Sequence, residues 1–409
     1  MIFTLAFRNL WRNKRRTLIT AASVMFAVFF ATFMQSIQRG TWDHMLNNVV
    51  NFYYGFVQVH SAGYWDDQSL DRSFQLGDDL RQKIAGAEGV EEIAPRIESF
   101  ALASFGEQTT GVMVVGTRPG AEEKLTGLAE KVIKGKYWDS GSPDGILIAE
   151  GVARQLEMKL GDTIVLISQG YHGANAAGKY PVTGILQFGS PELNKRMTYL
   201  PLGEAQYFFA ADSLVTTIAL HIANKEDAKL SVKSLEERLD TTQYEVMNWE
   251  QMIPDLVEAR ELDTASAMLV LWVLYLIIAF GIFGAILMMT RERQYEFGVL
   301  IAIGMKRFQL SRIVWIEIAM MGVMGTIAGM ILAAPFVLYF HQNPINMAAM
   351  GEEMVKTYEK FGMEPVLPTS VDPWIFGTQA ITVFLITTVV ALYPLWVIGR
   401  LKPVEAMRT

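Results

Sequence analysis

Cysteine is missing from all 409 residues, which excludes disulfides, zinc–thiolate sites and cysteine nucleophiles. Charged residues are also scarce at 19%, whereas soluble domains usually carry about 25%. The 35 basic and 42 acidic residues leave a net charge of −7, so nucleic acid is not an expected partner. Any exported domain of this chain must be held by its own core.

Several catalytic motifs are also absent from the sequence. There is no G-x-x-x-x-G-K-[ST] loop to cradle nucleotide phosphates, no H-E-x-x-H and no G-x-S-x-G. No two histidines have helical ligand spacing; they are His44, His60, His172, His221 and His341. We therefore expect no catalytic residue, no metal site and no cofactor on this chain.

Long apolar runs are what the chain has in excess, since it is 51% hydrophobic. A membrane-spanning helix needs about 20 consecutive apolar residues, and four segments qualify: 17–38, 266–290, 313–340 and 374–399. The first follows basic residues, as a cleaved signal peptide would. Its apolar run exceeds the roughly 7–15 residues of a signal peptide, and no small-x-small cleavage site follows Phe33. We interpret it as a retained span.

Positive charge predicts the orientation of the four spans. Residues 1–16, 291–312 and 400–409 together hold 13 basic and 3 acidic residues. These three pieces are expected in the cytoplasm of a bacterium, with the chain in its inner membrane. The stretch 39–265 and the loop 341–373 then lie outside, in the periplasm.

The outer stretch 39–265 is predicted to be an α+β domain. The fold class is therefore a membrane protein of four transmembrane α-helices, with this large periplasmic domain between helices 1 and 2. Short β-rich runs occur at 56–60, 112–115, 163–167, 182–186 and 217–221, and helical patterns at 77–87, 121–132, 150–158 and 225–239. The polar, Gly- and Ala-rich stretch 168–180 suggests a mobile loop. Residues 255–264 are predicted to extend the second span as a stalk, or else to form a short surface helix.

Two cytoplasmic pieces carry unusual patterns. The N-terminus is amphipathic and is predicted to lie in the headgroup layer, anchored by Arg8, Trp11, Arg12, Lys14, Arg15 and Arg16. A plain basic flank is the alternative. The segment 291–312 embeds an apolar run between charged ends, with Gly298 and Gly304 expected to break it. An apolar helix outside the bilayer needs a surface to bury against, such as a groove on a partner protein. A re-entrant segment is the alternative.

These motifs resemble the FtsX-like, or MacB-like, family of ABC-transporter permeases. The opening is Arg8-Asn9-Leu10-x-Arg12-x-Lys14-x-Arg16-Thr17. The run Arg291-x-Arg293-x-x-Glu296-Phe297-Gly298-x-Leu300-x-Ala302-x-Gly304-Met305 is similar to the family's coupling helix. Glu317, the tail Pro394-x(8)-Pro403-Val404-Glu405-Ala406-Met407-Arg408 and the segments 144–151 and 160–162 also match. Residues 55–60, followed by Gly63-Tyr64, most resemble the lipoprotein-releasing (LolC/LolE-type) branch.

The resemblance implies a permease without its own motor. Two permease chains, identical or different, would work with a dimer of cytoplasmic ABC ATPase subunits that bind ATP and Mg. ATPase closure would act on Arg293, Glu296, Phe297, Gly298, Leu300, Ile303, Gly304, Met305, Lys306 and Arg307, and would move the periplasmic domains by mechanotransmission. The cargo would be a lipoprotein or another amphiphile taken from the outer leaflet, with an acceptor or adaptor docking in the periplasm. The alternatives are an efflux permease for macrolides or peptides with an adaptor, and a non-transporting regulator of a cell-wall hydrolase.

Two sets of residues in the spans have proposed roles. An apolar cargo surface on the first span is assigned to Met25, Phe26, Phe29, Phe30, Phe33 and Met34, although contact with lipid or another helix is the alternative. Close helix packing within the chain is assigned to Gly322, Gly325 and Gly329, with a dimer seam as the alternative. The intramembrane acid Glu317 either snorkels to the cytoplasmic face or accepts bonds from a neighbouring helix.

Overall fold

The computed structural model of the protein describes residues 2–12, 14–138, 144–222, 227–351, 353, 355 and 364–402, with backbone alone at 2, 16, 348 and 350. The tail motif at 403–408 and the side chain of Arg16 lie outside the described residues. The chain forms two units. The helical unit comprises residues 1–43, 259–346 and 366–409, and the sheet unit comprises residues 44–258 and 347–365.

Within the described residues, four long helices are apolar enough to cross a membrane, as the sequence predicts. The first to fourth long helices are Lys14–Val49, Pro254–Glu292, Arg307–Gln342 and Pro373–Arg400. They are longer than the apolar runs because polar residues continue the helical hydrogen bonding at their ends. Residues 255–264, in particular, belong to the second long helix without a break.

Two shorter helices complete the helical unit. The N-terminal helix is Ile2–Arg12, and the connecting helix between the second and third long helices is Gln294–Ala302. A single apolar cluster joins the four long and two short helices, and it includes Leu10, Val28, Ile282, Phe297, Ile318 and Val383. Because one member of each element buries its side chain in this cluster, the short helices are packed parts of the unit.

The sheet unit is built on a ten-stranded sheet, which confirms the α+β domain. Its strands run in the order β12-β1-β11-β3-β4-β9-β6-β8-β5, with β7 paired to β3 and β8. The pairs β4–β9 and β6–β8 are parallel, and the other pairs in this sheet are antiparallel. The ten strands are β1 Val57–Ser61, β3 Val90–Phe105, β4 Gln108–Thr117, β5 Val132–Gly135, β6 Ile146–Ala149, β7 Thr163–Gln169, β8 Asn175–Leu186, β9 Met197–Pro201, β11 Thr217–Ile222 and β12 Tyr244–Asn248. The strands β2 Phe74–Gln75 and β10 Leu214–Val215 pair with each other in a separate small sheet.

Short helices pack on this sheet and close its core. A π-helical turn, Val50–Tyr54, follows the first long helix and ends at Gly55, whose φ of 70° favours glycine. The α-helices are Tyr64–Asp67, Asp78–Ala85, Pro119–Thr126, Glu150–Gln155, Pro191–Arg196, Leu202–Phe208, Ala228–Glu236 and Trp249–Met252. The 3₁₀ turns are Leu70–Arg72, Leu128–Lys131 and Tyr171–Gly173.

The prediction of a mobile loop at 168–180 is wrong. These residues form the closed end of a β-hairpin, in which Ser168 pairs with Ala176 and Gln169 with Asn175. Small Gly and Ala side chains here occupy a paired strand, and composition alone does not distinguish that from a loop. Two further strands, β13 Ile345–Asn346 and β14 Val366–Leu367, pair in the helical unit within the predicted 341–373 loop.

Candidate coupling site and cargo surface

A chain of ion pairs links three elements of the helical unit. Arg293 donates from Nη1 to both oxygens of Glu317 at 2.8 Å, and from Nε to Glu296 Oε2 at 3.2 Å. Arg12, at the end of the N-terminal helix, donates to the same Glu296 oxygen at 2.5 Å. We call Arg12, Glu296, Arg293 and Glu317 the Arg293 network. It ties the N-terminal helix and the connecting helix to the third long helix.

The Arg293–Glu317 pair is more deeply buried than the Arg12–Glu296 pair. Glu317 is only 3% exposed, so the third long helix carries a charge that needs Arg293 as its partner. The Arg12–Glu296 pair is partly solvent-exposed. Burial raises the pKa of Glu296, but the hydrogen bond and charge of Arg12, together with those of Arg293, outweigh it and lower the pKa. The network borders a cavity of about 230 Å³.

The connecting helix buries part of the set predicted to contact a partner. Phe297 is 1% exposed and Gly298 is also buried, so neither presents a surface to another protein. The prediction that this segment couples to a partner therefore depends on its other residues. Gly298 lies inside the helix and does not break it; only Gly304, at φ 105°, ends the segment in a conformation that favours glycine.

Three large side chains in and just after the connecting helix are exposed. Ile303 is 75% exposed and Phe308 is 71% exposed, and Tyr295 is also exposed. We call these three residues the exposed patch. Of the predicted set, only Ile303 belongs to it, while Leu300 and Met305 are half-buried against the apolar cluster. Tyr295 and Phe308 are outside the predicted set, and the signal for them in the sequence is an aromatic residue at each end of the apolar run.

Two basic residues of the predicted coupling set lie at the start of the third long helix. Lys306 is exposed and immediately precedes the helix. Arg307 donates to the backbone oxygens of Gly399 and Leu401 at 2.8 and 2.9 Å. Arg307 therefore satisfies carbonyls that the end of the fourth long helix leaves without partners.

The N-terminal helix has one buried and one exposed apolar side. Ala6 and Leu10 are buried, whereas Phe3, Phe7 and Trp11 are exposed at a spacing of four residues. Exposed basic side chains accompany this stripe, and the Lys14 ammonium lies 5.7 Å from the Trp11 ring. The other exposed basic residues here are Arg8, Arg12 and Arg15. An apolar stripe beside basic residues is typical of a helix in a lipid headgroup layer.

The predicted cargo residues of the first long helix fall on two sides. Phe26, Phe30 and Met34 are exposed. Phe29 lies 5.4 Å from the Phe336 ring, and Phe33 lies 5.8 Å from the Phe340 ring, both in the third long helix. Met25 is half-buried, and its carbonyl faces Gly329. The exposed side, Phe26, Phe30 and Met34, is therefore the part of the set that remains open within this chain.

The three predicted packing glycines lie at contacts within the chain. A Cβ on Gly325 would stand 2.6 Å from Val24 Cβ, and one on Gly329 would stand 2.7 Å from the Met25 carbonyl oxygen. A Cβ on Gly322 would meet Thr387 of the fourth long helix at 2.6 Å. Glycine lets these helix backbones approach closely.

Two family models match this chain. Residues 268–403 match the FtsX-like permease C-terminal model, and residues 17–238, more than half of the chain, match the MacB-like periplasmic core domain. The chain belongs to the FtsX-like permeases with a MacB-like periplasmic core. The periplasmic core model covers most of the sheet unit of this permease, from residue 44 to residue 238.

Curated relatives match this permease at low identity. The lipoprotein-releasing system transmembrane protein LolC of Neisseria meningitidis is 22% identical, over 96% of this chain and 94% of that protein. LolC of Xylella fastidiosa is 26% identical, over 80% of this chain and 78% of that protein. The pyoverdine export ATP-binding/permease protein PvdT of Pseudomonas syringae is 25% identical, over 80% of this chain and 50% of that protein.

Proposed function

We propose that this permease is the membrane subunit of an ABC transporter that extracts lipoproteins, or another amphiphilic cargo, from the outer leaflet of a bacterial inner membrane. ATP and Mg would be bound by a separate ATPase subunit. The observation that carries the proposal is the similarity to LolC across nearly the whole length of both chains. The exposed patch supplies a surface for binding the ATPase, and the open side of the first long helix supplies a surface for binding the cargo.

The proposed orientation places both termini and the connecting helix in the cytoplasm. Exposed basic residues near the N-terminal helix and the turn after the connecting helix support this, because positive residues favour the cytoplasmic side. The sheet unit would then lie in the periplasm, consistent with the name of the family model that it matches. The exposed stripe Phe3, Phe7 and Trp11 would lie among the phospholipid headgroups.

The ATPase dimer would bind the exposed patch. Large apolar side chains exposed outside a bilayer mark interaction sites. Tyr295 lies at the start of the connecting helix, and Ile303 and Phe308 follow its end. Motion of that helix would reach the third long helix through Arg293 and Glu317, which are joined at 2.8 Å. A push at the patch would in this way become a displacement of a membrane helix, which is the proposed mechanotransmission.

A second permease chain, identical or different, would cover part of the second long helix. One side of this helix buries Ile278, Ile282 and Ile286. The opposite side is exposed over a wide arc that includes Leu269, Trp272, Leu276 and Phe280. Together with the open side of the first long helix, this exposed side of the second long helix would form an apolar binding site for acyl chains. Membrane lipid would occupy the site when no cargo is bound.

A soluble acceptor or adaptor would dock on the sheet unit. Phe100, Leu102 and Ile167 expose apolar side chains on the adjoining strands β3 and β7, beside an open groove of about 620 Å³. An exposed apolar group with a polar rim is typical of a protein interaction site. Efflux with an adaptor remains the second candidate, because PvdT proteins are also similar to this chain.

Photocrosslinking at matched positions tests the cargo. A photoreactive residue at Phe30 should label acylated lipoproteins in native membranes, whereas the same residue at Phe29 should label the third long helix of its own chain. The label at Phe30 should increase when ATP hydrolysis is blocked and cargo accumulates. Labelling of phospholipid alone at Phe30 in an active complex would reject lipoprotein cargo.

Mass spectrometry of the purified complex separates the alternatives. We expect an ATPase with a P-loop and acylated lipoproteins to copurify with the tagged chain. A periplasmic adaptor and a small-molecule cargo without lipoproteins would favour efflux. A cell-wall hydrolase, with neither kind of cargo, would favour the regulator. Recovery of the chain without any ATPase from gently solubilised membranes would contradict the transporter proposal.

A further inference from the structure

A small cavity of about 50 Å³ lies in the sheet unit, where the π-helical turn meets β1 and β3. Aromatic side chains form much of its wall. We call it the Glu98 pocket and define it by Tyr53, Tyr54, Gln58, Tyr64, Trp65 and Glu98. π-Helical turns occur frequently at functional sites, and this one supplies Tyr53 and Tyr54.

Two buried oxygens at this pocket have no hydrogen bond from the described residues. Gln58 is 1% exposed, and its Nε2 donates to the Tyr54 carbonyl at 2.6 Å, which identifies Oε1 as the unpartnered acceptor. Glu98 is 7% exposed, and its Oε1 is likewise without a hydrogen bond. Buried acceptors are rarely left unsatisfied, so both oxygens are suited to a donor from a ligand.

Glu98 shares its one cation with Glu122, and Thr217 Oγ1 donates to Glu98 Oε2 at 3.3 Å, which leaves Oε1 as the poorly served oxygen. Arg96 donates to both oxygens of Glu122, at 2.9 and 2.6 Å, and to the Tyr53 carbonyl at 2.7 Å. Glu98 Oε1 lies 3.5 Å from Arg96 Nη1, beyond the distance of a good charged hydrogen bond. One guanidinium thus serves two buried carboxylates, and the second can be ionised at low cost only if another cation is near. Burial raises the pKa of Glu98 despite Arg96.

The pocket walls favour an organic cation. The rings of Tyr53 and Tyr54 lie 4.9 Å apart, and those of Tyr54 and Trp65 lie 6.2 Å apart. Aromatic faces attract ammonium groups, most strongly when water is excluded. A metal ion is less well served, since the described residues contain no group of three His, Asp or Glu that could hold one. The cavity has room for about three or four non-hydrogen atoms.

We propose that the Glu98 pocket binds a primary ammonium group on a short alkyl chain. Glu98 Oε1 and Gln58 Oε1 accept its N–H bonds, and the rings of Tyr54 and Trp65 pack against its carbon atoms. The site is independent of the proposed cargo surface, because all of its residues belong to the sheet unit.

Calorimetric titration of the full chain in lipid nanodiscs tests this site. Ethylammonium chloride should bind saturably, and propanol, which is neutral and of similar size, should not. Glu98→Gln should weaken ethylammonium binding about ten- to hundredfold, since it removes a charged hydrogen bond. Glu107→Gln, an exposed carboxylate in the β3–β4 turn, is the matched control and should bind as the wild type does.

Three results would overturn the proposal. One is no saturable binding of ethylammonium to the wild type. Another is equal binding of ethylammonium and propanol, which needs no variant and so does not depend on how Glu98→Gln folds. The third is a Glu98→Gln protein with the wild-type melting profile and wild-type affinity. Gln58→Leu, which removes the second acceptor and keeps the volume, should also weaken binding.

Discussion

Arg293 Nη1 lies 2.8 Å from both carboxylate oxygens of Glu317, and only 3% of Glu317 is exposed. The pair connects the start of the connecting helix to the buried side of the third long helix. A buried carboxylate is costly without its cation, because both partners have given up water. The position of the connecting helix is therefore set by a charge in the neighbouring span as well as by Phe297.

Removal of one partner should be far more harmful than removal of both. We expect Glu317→Ala to destabilise the helical unit by about 3 kcal/mol, because Arg293 then keeps only the partly exposed Glu296 as its counter-charge. The double variant Arg293→Met, Glu317→Met should recover most of that loss. Thermal unfolding in one detergent measures all three proteins. A Glu317→Ala protein as stable as the wild type would show that the pair does not hold the segment.

The sequence located Glu317 but not its partner, for a physical reason. A lone charge in an apolar run is visible in composition, and Glu317 was identified that way. Its partner lies 24 residues earlier, and their meeting depends on the turn at Gly304 and on how two helices pack. The burial of Phe297 within the chain is hidden from the sequence for a related reason. The connecting helix is apolar nearly all round, so its pattern does not reveal which side is buried.

In the sheet, too, the sequence pattern predicts some strands, whereas others depend on contacts between distant residues. Strands such as β7 and β11 were predicted because β-branched residues cluster in them. The longest strand, β3 at Val90–Phe105, was missed, since Arg96 and Glu98 interrupt its apolar residues. Both are buried through their ion pairs. A paired charge in a core has the sequence signature of a surface residue.

Gly325 should not tolerate even one added methyl group. Its Cβ would stand 2.6 Å from Val24 Cβ and 2.7 Å from the Ala21 carbonyl, so the first and third long helices must separate. We expect Gly325→Ala to cost about 1–3 kcal/mol, measured as a lower melting temperature in detergent. Gly284→Ala is the matched control, because a Cβ there meets nothing described within 4 Å. Equal effects of the two substitutions would contradict the close contact.

His60 should make the sheet unit sensitive to mild acid. Burial lowers its pKa from 6.5 to about 4, so the unfolded chain takes up a proton before the folded one does. Stability is then complete above pH 6.5 and falls as the pH drops from 6.5 towards about 4, by up to about 3 kcal/mol.

Melting temperature against pH measures this effect of His60. His60→Gln should flatten the curve between pH 6.5 and about 4. His172→Gln changes an exposed histidine and should leave the slope as it is in the wild type. If the slope survives in His60→Gln, another group is responsible for it.

The exposed patch should govern ATPase binding, on the assignment proposed above. Ile303→Ser and Phe308→Ser remove apolar side chains that are 75% and 71% exposed, so neither should lower the melting temperature of the isolated permease. Each should weaken copurification of the ATPase about ten- to thirtyfold, as expected for a residue central to an interface. Leu160→Ser, an exposed apolar residue of the sheet unit, is the matched control and should retain the ATPase.

Phe297→Ala should behave in the opposite way and lower the melting temperature first, because that side chain is buried within the chain. Undiminished ATPase recovery in the Ile303→Ser, Phe308→Ser double variant would remove the patch from the interface.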